Sequence, residues 1–325
     1  MRDNKNGGAN SQVSGVEIAA GFTAGVVSTL VFHPLDVIKT RLQVNLQTAT
    51  GPTKPKPRPL STMDVVRSFM KAKNPVTAAY RGLPVNLVAN SASWAFFFQF
   101  KETFEGAITD KGYPLMSGDK PSGLGYFVTS GLAGIATSCI TNPLWLLRTR
   151  IMSTDRQTAE AYPNMRAGAL RVYRGEGPGG FYKGLGTSLI GTSHGAIQFA
   201  LYEPLRNAYR AWKGDREKQI PTEVTLTLST VAKTTAAVAT FPHQVVRNRL
   251  QNQRGTDLYG AGISGVVRKM WQEGGVRTFY RGIVPGLLRT LPSTWVTFIV
   301  IEYVRFHLPR WLEETDADDG GVSGK

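Results

Sequence analysis

A motif that occurs three times constrains the fold of this chain more than any other feature. The segments HPLDVIKTRLQ (33–43), NPLWLLRTRIM (142–152) and FPHQVVRNRLQ (241–251) align without gaps. An aromatic and a basic residue followed by glycine come after each segment: YRG at 80–82, YKG at 182–184 and YRG at 280–282. Two motifs that recur three times at matched spacing indicate a tandem repeat of about 100 residues.

The repeat predicts five regions along the chain. They are a disordered N-terminus (1–15), three repeats (16–110, 111–214 and 215–312) and an acidic, glycine-rich tail that we also expect to be disordered (313–325). Below, the three repeats are called copies one, two and three.

Long stretches without charge predict membrane-spanning helices. No charged residue occurs in 18–35, 82–100, 121–147 or 184–202, and two further apolar stretches, 219–246 and 282–301, contain only Glu223, Lys233 and Arg289. About 20 apolar residues span a bilayer core, so six spans are expected. The alternative is a soluble helical repeat protein that buries the same stretches in its core.

Several classes of function are disfavoured by the composition. The single cysteine, Cys139, excludes an internal disulfide, and the four histidines show no metal-binding spacing, so no metal site is expected. No P-loop, dinucleotide fingerprint or catalytic triad context is present, so we do not expect an enzyme. The net charge of +15 would fit nucleic-acid binding. However, the basic residues cluster at span ends and linkers, so a nucleic-acid partner is not expected.

The triple pattern P-x-[D/E]-x-x-[K/R]-x-[K/R], followed by [D/E]-G-x4-[aromatic]-[K/R]-G, resembles the mitochondrial carrier family (solute carrier family 25) over about residues 16–311. The resemblance implies an all-α membrane protein with pseudo-three-fold symmetry and short matrix helices between paired spans. It implies a monomer in the inner mitochondrial membrane, with both termini toward the intermembrane space and cardiolipin at the matrix side. A peroxisomal membrane is the alternative location.

In this family the acid of each proline motif pairs with a basic residue of the next copy and closes the matrix side. Here Asp36, Trp145 and Gln244 occupy the acid positions. The resemblance implies three contacts: an ion pair of Asp36 with Arg148, a cation–π contact of Arg247 with Trp145, and a hydrogen bond of Lys39 with Gln244. Gln43 and Gln251 occupy the positions of bracing glutamines. These residues are the predicted matrix gate, although interfacial anchoring would also explain the basic ones.

A second gate is expected on the opposite, cytosolic side, where the family carries an aromatic-acid-x-x-basic motif. Copy two has Glu203 and Arg206, and copy three has Glu302 and Arg305. In copy one Glu102 stands at the acid position, and no basic residue occupies the matching place.

The predicted substrate site lies where the copies differ, because the substrate itself is asymmetric. Seven residues after the motif glycines stand Ala89, Gly191 and Arg289, and the family places its substrate contacts at these positions. The small residues would leave room for a flat molecule, and Arg289 would bind phosphate or carboxylate. A structural ion pair is the alternative role for Arg289. Further candidates are Asn90, Trp94, Trp145, Thr192, His194 and Lys233.

The motif variants favour one branch of the family. Trp145 in PLW resembles the carriers of folate, flavin, NAD and pyrimidine nucleotides, and Gln244 resembles the folate/FAD branch. The segment GTSHGAIQFALYE (191–203) points to the same branch. We therefore expect FAD as the transported substrate, a planar anionic metabolite, and no resident cofactor. Folate is the near alternative. NAD, coenzyme A, a pyrimidine nucleotide and a proton-leak activity of the same fold remain open.

Overall fold

The computed structural model describes residues 4–44, 60–110, 116–117, 120–121, 123–154, 162–191, 193–213, 220–252 and 262–322, and these are almost entirely helical. Copy one contains helices α1 (Asn4–Val44), α2 (Thr62–Met70), α3 (Pro75–Ala79) and α4 (Leu83–Asp110). Copy two contains α5 (Gly123–Ser153), α6 (Met165–Glu176), a 3-10 turn (Pro178–Tyr182), α7 (Leu185–Gly191) and α8 (Ser193–Lys213). Copy three contains α9 (Thr222–Gln251), α10 (Gly262–Gly274), α11 (Val276–Phe279) and α12 (Ile283–Val322).

Two very short strands lie at the start of the second copy, before α5. Strands β1 (Met116–Ser117) and β2 (Lys120–Pro121) pair antiparallel, with Met116 opposite Pro121. The described part of the chain therefore agrees with the predicted all-α class apart from this single hairpin.

Both predicted disordered ends are largely helical in the structure. Helix α1 begins at Asn4, and helix α12 continues to Val322. The structure describes residues of both ends as helix, and the disorder of the two ends stays a prediction.

The residues divide into two compact units, one of residues 35–287 and the other of 1–34 with 288–325. Within the described residues, two segments are long and apolar enough to cross a bilayer, namely Ala20–Val44 and Val276–Leu308. Polar residues such as Asn86, Asn90 and Ser93 lower the mean hydropathy of stretches such as 82–100. The arrangement of six spans therefore stays a prediction.

The short helices after the proline motifs begin at defined caps. The side chain of Ser61 accepts a hydrogen bond from the amide of Met63, and Asp64 accepts one from the amide of Ser61 at 2.9 Å, which completes a capping box at α2. Asn164 caps α6 by accepting from the amide of Ala167 at 2.8 Å. Such caps contribute about 1 kcal/mol each and fix where the helix begins.

Each of these short helices buries one apolar face in its own copy. The buried residues are Val65 and Phe69 in α2, Val172 in α6, and Val266 and Met270 in α10. They pack in three separate clusters against the C-terminal ends of α1, α5 and α9. Burial of each such side chain contributes about 1.5–3 kcal/mol. The proline motifs are thereby held at a fixed place beside the linkers.

Candidate functional site

A repeated contact joins the end of each motif helix to the next copy. Three arginines donate from Nε to a main-chain oxygen: Arg41 to Met152 (3.3 Å), Arg150 to Gln251 (2.9 Å) and Arg249 to Gln43 (3.1 Å). The third contact leads from copy three back to copy one, so the contacts form a closed circuit. Hydrogen bonds from charged donors contribute about 1.5–3 kcal/mol each.

The glycine of the aromatic-basic-glycine motif packs on the same places. Gly82, Gly184 and Gly282 have φ of +79°, +78° and +80°, a conformation that glycine adopts without strain. A Cβ atom would meet the Cγ atom of the residue that carries the accepting oxygen. The distances are 2.9 Å from Gly82 to Met152, 3.1 Å from Gly184 to Gln251 and 3.5 Å from Gly282 to Gln43. Each copy therefore needs glycine here for both its backbone and its packing.

The predicted ion pair of the matrix gate is present and is joined by an asparagine. Nη2 of Arg148 lies 3.4 Å from Oδ2 of Asp36, which is almost fully buried. Asn86 accepts a hydrogen bond from Nε of Arg148 and donates to Asp36 at 3.5 Å. Buried ion pairs are favourable only when their remaining donors and acceptors are satisfied. Asn86 fulfils that role here.

The predicted hydrogen bond of Lys39 with Gln244 joins copies one and three. Nζ of Lys39 donates to Oε1 of Gln244 at 3.0 Å and lies 5.3 Å from the centre of the Phe241 ring. Gln244 accepts the hydrogen bond but brings no negative charge to the lysine.

The ring of Trp145 contacts its predicted partner, Arg247, and a second arginine, Arg148. The guanidinium carbon of Arg247 lies 5.3 Å from the indole centre, and that of Arg148 lies 5.0 Å from it. The indole N–H donates to Oγ of Ser93 at 2.9 Å. Two guanidiniums therefore already contact the ring, and stacking of Trp145 on a substrate stays a prediction.

In copy two, Glu176 of the Glu-Gly motif pairs with Arg150, the arginine that contacts the next copy. Oε2 of Glu176 lies 2.9 Å from Nη2 of Arg150 and 2.7 Å from Nζ of Lys183. Burial disfavours the charged carboxylate, but the hydrogen bonds from Arg150 and Lys183 outweigh it and lower the pKa of Glu176 below its usual value. The carboxylate is therefore ionised at neutral pH and holds Arg150 in place.

A glutamate also holds the equivalent arginine in copy three, whereas other groups hold it in copy one. Oε2 of Glu273 lies 2.8 Å from Nη1 of Arg249. Copy one lacks the Glu-Gly motif, and there Arg41 donates to Oγ of Ser68 at 3.4 Å and lies 5.0 Å from the centre of the Phe69 ring. The arginine is thus held by a hydroxyl group and an aromatic face.

The two predicted bracing glutamines are buried between copies. Oε1 of Gln43 accepts a hydrogen bond from Nδ2 of Asn248, and Oε1 of Gln251 accepts one from Oγ1 of Thr149 at 3.0 Å. Both side chains are at most 1% exposed. These contacts link copy three to copy one and copy two to copy three.

The predicted substrate residues of α4 have different surroundings. Asn90 donates to Oδ1 of Asn86 at 3.2 Å and is therefore connected to the gate. Ala89 is fully buried, so it offers no free surface in this structure. Trp94 is 61% exposed and stacks on Phe98 with 5.6 Å between ring centres.

At Gly191 the space beside the backbone is filled by a histidine. A Cβ atom at this position would lie 2.8 Å from Nε2 of His243 on α9. In this structure the missing side chain therefore makes room for the imidazole, whereas the sequence predicts room for a substrate. Thr192, the next candidate, lies outside the described residues.

A second histidine contacts α9 near this point. Nδ1 of His194 lies 2.9 Å from Oγ1 of Thr240, and that hydroxyl donates to the carbonyl oxygen of Ala236 at 2.8 Å. Lys233, a partly buried residue, belongs to the same helix α9.

The predicted cytosolic gate residues are exposed or partly exposed. Glu203 and Arg206 pair with each other within α8 at 3.4 Å, and Glu102 is exposed. Glu302 and Arg305 are exposed on α12, in the other compact unit. The structure thus shows a local pair within one helix, and a gate between copies stays a prediction.

Asn86 was not among the predicted gate residues, although the sequence contains a signal for it. Asn86, Asn90 and Ser93 stand at positions i, i+4 and i+7 of one helix, which places them on a single face. Their contacts with Arg148, Asp36 and Trp145 show that this polar face meets the gate.

Comparison with known proteins supports the three repeats. The family model described as mitochondrial carrier protein matches residues 11–112, 119–211 and 218–310. The mitochondrial FAD carrier protein of Saccharomyces cerevisiae is 31% identical over 90% of this chain and 96% of its own length. Nicotinamide adenine dinucleotide transporter 1, chloroplastic, of Arabidopsis thaliana is 34% identical over 90% of this chain and 92% of its own. Folate transporter 1, chloroplastic, of the same plant is 31% identical over 88% and 92%.

The three matched segments coincide with the three copies read from the motifs, and members of this family are transporters rather than enzymes. The chain belongs to the mitochondrial carrier protein family.

Proposed function

We propose that the chain transports FAD across the mitochondrial inner membrane by alternating access. The proposed architecture has six spans with pseudo-three-fold symmetry, and both termini face the intermembrane space. The circuit of arginine contacts, which leads from each copy to the next and back to the first, supports this arrangement. We further propose a monomer that binds cardiolipin at the matrix side.

The observation that carries the substrate proposal is the composition of the gate. Trp145 and Gln244 stand where the family pattern has acids, and each contacts a basic residue of another copy. Relatives named as carriers of FAD, NAD and folate are 31–34% identical to this chain, so overall similarity does not rank the three. The glutamine at 244 favours the folate/FAD branch, with folate as the near alternative.

The proposed site would hold a planar anion among polar and cationic side chains. His194 forms a hydrogen bond with Thr240 through Nδ1. Asn90 adds an amide beside the gate network. From the sequence position of Arg289 in the repeat, we propose that this guanidinium binds the anionic groups of the substrate.

The test is counter-exchange in liposomes that contain the purified full-length protein. The vesicles are preloaded with FAD, folate, NAD or UTP, and the uptake of labelled FAD is measured. Arg289→Gln removes the proposed cation. The matched control is Arg210→Gln, at an exposed position of α8. Loss of one charged contact to the substrate costs about 1.5–3 kcal/mol, so we expect uptake to fall about tenfold or more in the Arg289 variant only.

Each outcome identifies a different substrate class. Exchange of folate without FAD would move the assignment within the same branch, and exchange of NAD or UTP alone would contradict the interpretation of Gln244. If none of the four is exchanged, a proton-leak activity becomes the better proposal, and proton flux across the same vesicles would measure it.

A further inference from the structure

Arg247 is a partly buried cation whose partner in the proposed gate is an aromatic ring in place of a carboxylate. Its Nε atom is buried and has no hydrogen-bond partner among the described residues. Its guanidinium lies over the indole of Trp145, which stands where the family pattern has an acid.

A cation–π contact attracts this charge without neutralising it. Such contacts contribute to stability, but the indole cannot take the place of an anion, and a buried charge without a counter-ion is unfavourable. Arg148, on the same ring, differs because it is paired with Asp36 at 3.4 Å. Among the described residues, the proposed gate thus contains one guanidinium with a carboxylate partner, Arg148, and one without, Arg247.

We propose that Arg247, with Arg148 beside it, is the anion-binding element of the gate and takes a phosphate group of the transported molecule. This inference deepens the proposed function, because it requires an anionic cargo. Both guanidinium carbons lie within 5.3 Å of one ring centre, so they are at most about 10 Å apart. A diphosphate can contact both, and guanidinium is the side-chain group whose geometry best fits phosphate oxygens. The cargo then supplies the negative charge that Trp145 does not.

The probe is inorganic pyrophosphate, and its binding to the purified full-length protein is measured by calorimetry. Trp145→Glu places a carboxylate beside Arg247 and should compete with the anion. Arg247→Gln removes the cation. Both variants are expected to bind pyrophosphate at least tenfold more weakly, the fold-change for loss of a charged hydrogen bond. Trp145→Phe keeps an aromatic face and should stay within about threefold of the natural chain.

Two matched controls carry the same substitutions at exposed positions of α10. Trp271→Glu adds the same negative charge at a tryptophan that is 62% exposed, and Arg268→Gln removes a positive charge from an exposed arginine. Both should bind pyrophosphate within about twofold of the natural chain. An equal loss of pyrophosphate affinity in these controls would mean that net charge alone causes the effect, and it would overturn the proposal.

The proposal is also overturned if the natural chain does not bind pyrophosphate, or if Arg247→Gln binds it normally. If pyrophosphate still binds to Arg247→Gln but not to Arg289→Gln, the anion binds at Arg289 and not at Arg247. If the melting curve shows that Trp145→Glu does not fold, the pyrophosphate affinity of Arg247→Gln alone tests the proposal. Because the assay contains no flavin, a weakened Arg247 variant supports the anion site even if FAD is not exchanged. Unaltered pyrophosphate binding in that variant would show that Arg247 is not the anion site, even if FAD is exchanged.

Discussion

Replacement of Gly82 by alanine should destabilise the contact between copies one and two. Gly82 has φ of +79°, and an added Cβ would lie 2.9 Å from Cγ of Met152 and 3.3 Å from Cγ2 of Ile151. Met152 is fully buried, so its side chain has little room to move away. The left-handed conformation costs alanine about 1–2 kcal/mol, and overpacking of a buried contact costs about 1–3 kcal/mol. We therefore expect a loss of about 2–5 kcal/mol.

The assay is the melting temperature of the purified protein in detergent, compared with that of Gly175→Ala. Gly175 is an exposed residue of helix α6, and a Cβ there would meet no atom within 4 Å. Alanine should stabilise that helix by about 0.5–1 kcal/mol. For Gly82→Ala a drop of about 4–10 °C is expected at about 2 °C per kcal/mol. If both variants melt within a degree of the natural chain, the packing argument is refuted.

Two further substitutions test other contacts. Glu176→Gln should lower the melting temperature at pH 7, because Arg150 loses its carboxylate, whereas Glu223→Gln at an exposed position should not. The pKa of Glu176 is lowered on folding, so its contribution is complete above the unfolded pKa and is lost as the pH falls through the folded one; the difference between the natural chain and Glu176→Gln should shrink on acidification. Gln244→Glu should convert the hydrogen bond with Lys39 into an ion pair that stabilises the closed gate by about 1 kcal/mol, and so slow substrate exchange about fivefold. Unchanged or faster exchange in vesicles would contradict this account.

The contacts of the proline-motif residues were predictable because the repeat fixes which positions are equivalent, and their role as a gate stays a prediction. Once Pro34, Pro143 and Pro242 are aligned, the acid and basic positions of each motif follow, and residues that share a register position in identical units meet equivalent neighbours. The contacts of Asp36 with Arg148 and of Lys39 with Gln244 lie where this reasoning places them.

The surroundings of Gly191 were not predictable in this way. Whether its free space faces a cavity or another helix depends on the rotation of α7 against α9, which no local pattern encodes. The structure places His243 in that space.

The contacts between copies fall into two layers with different symmetry. The layer of Gly82 and Arg150 repeats three times with the same partners, because each copy must pack on the next in the same way. The layer of Asp36, Trp145 and Gln244 uses an ion pair, an aromatic contact and a hydrogen bond, so each junction differs. This division fits the proposed transport of an asymmetric cargo by three similar copies. Substitutions in the repeated layer should therefore change the melting temperature first, whereas those in the varied layer should change the exchange rate first.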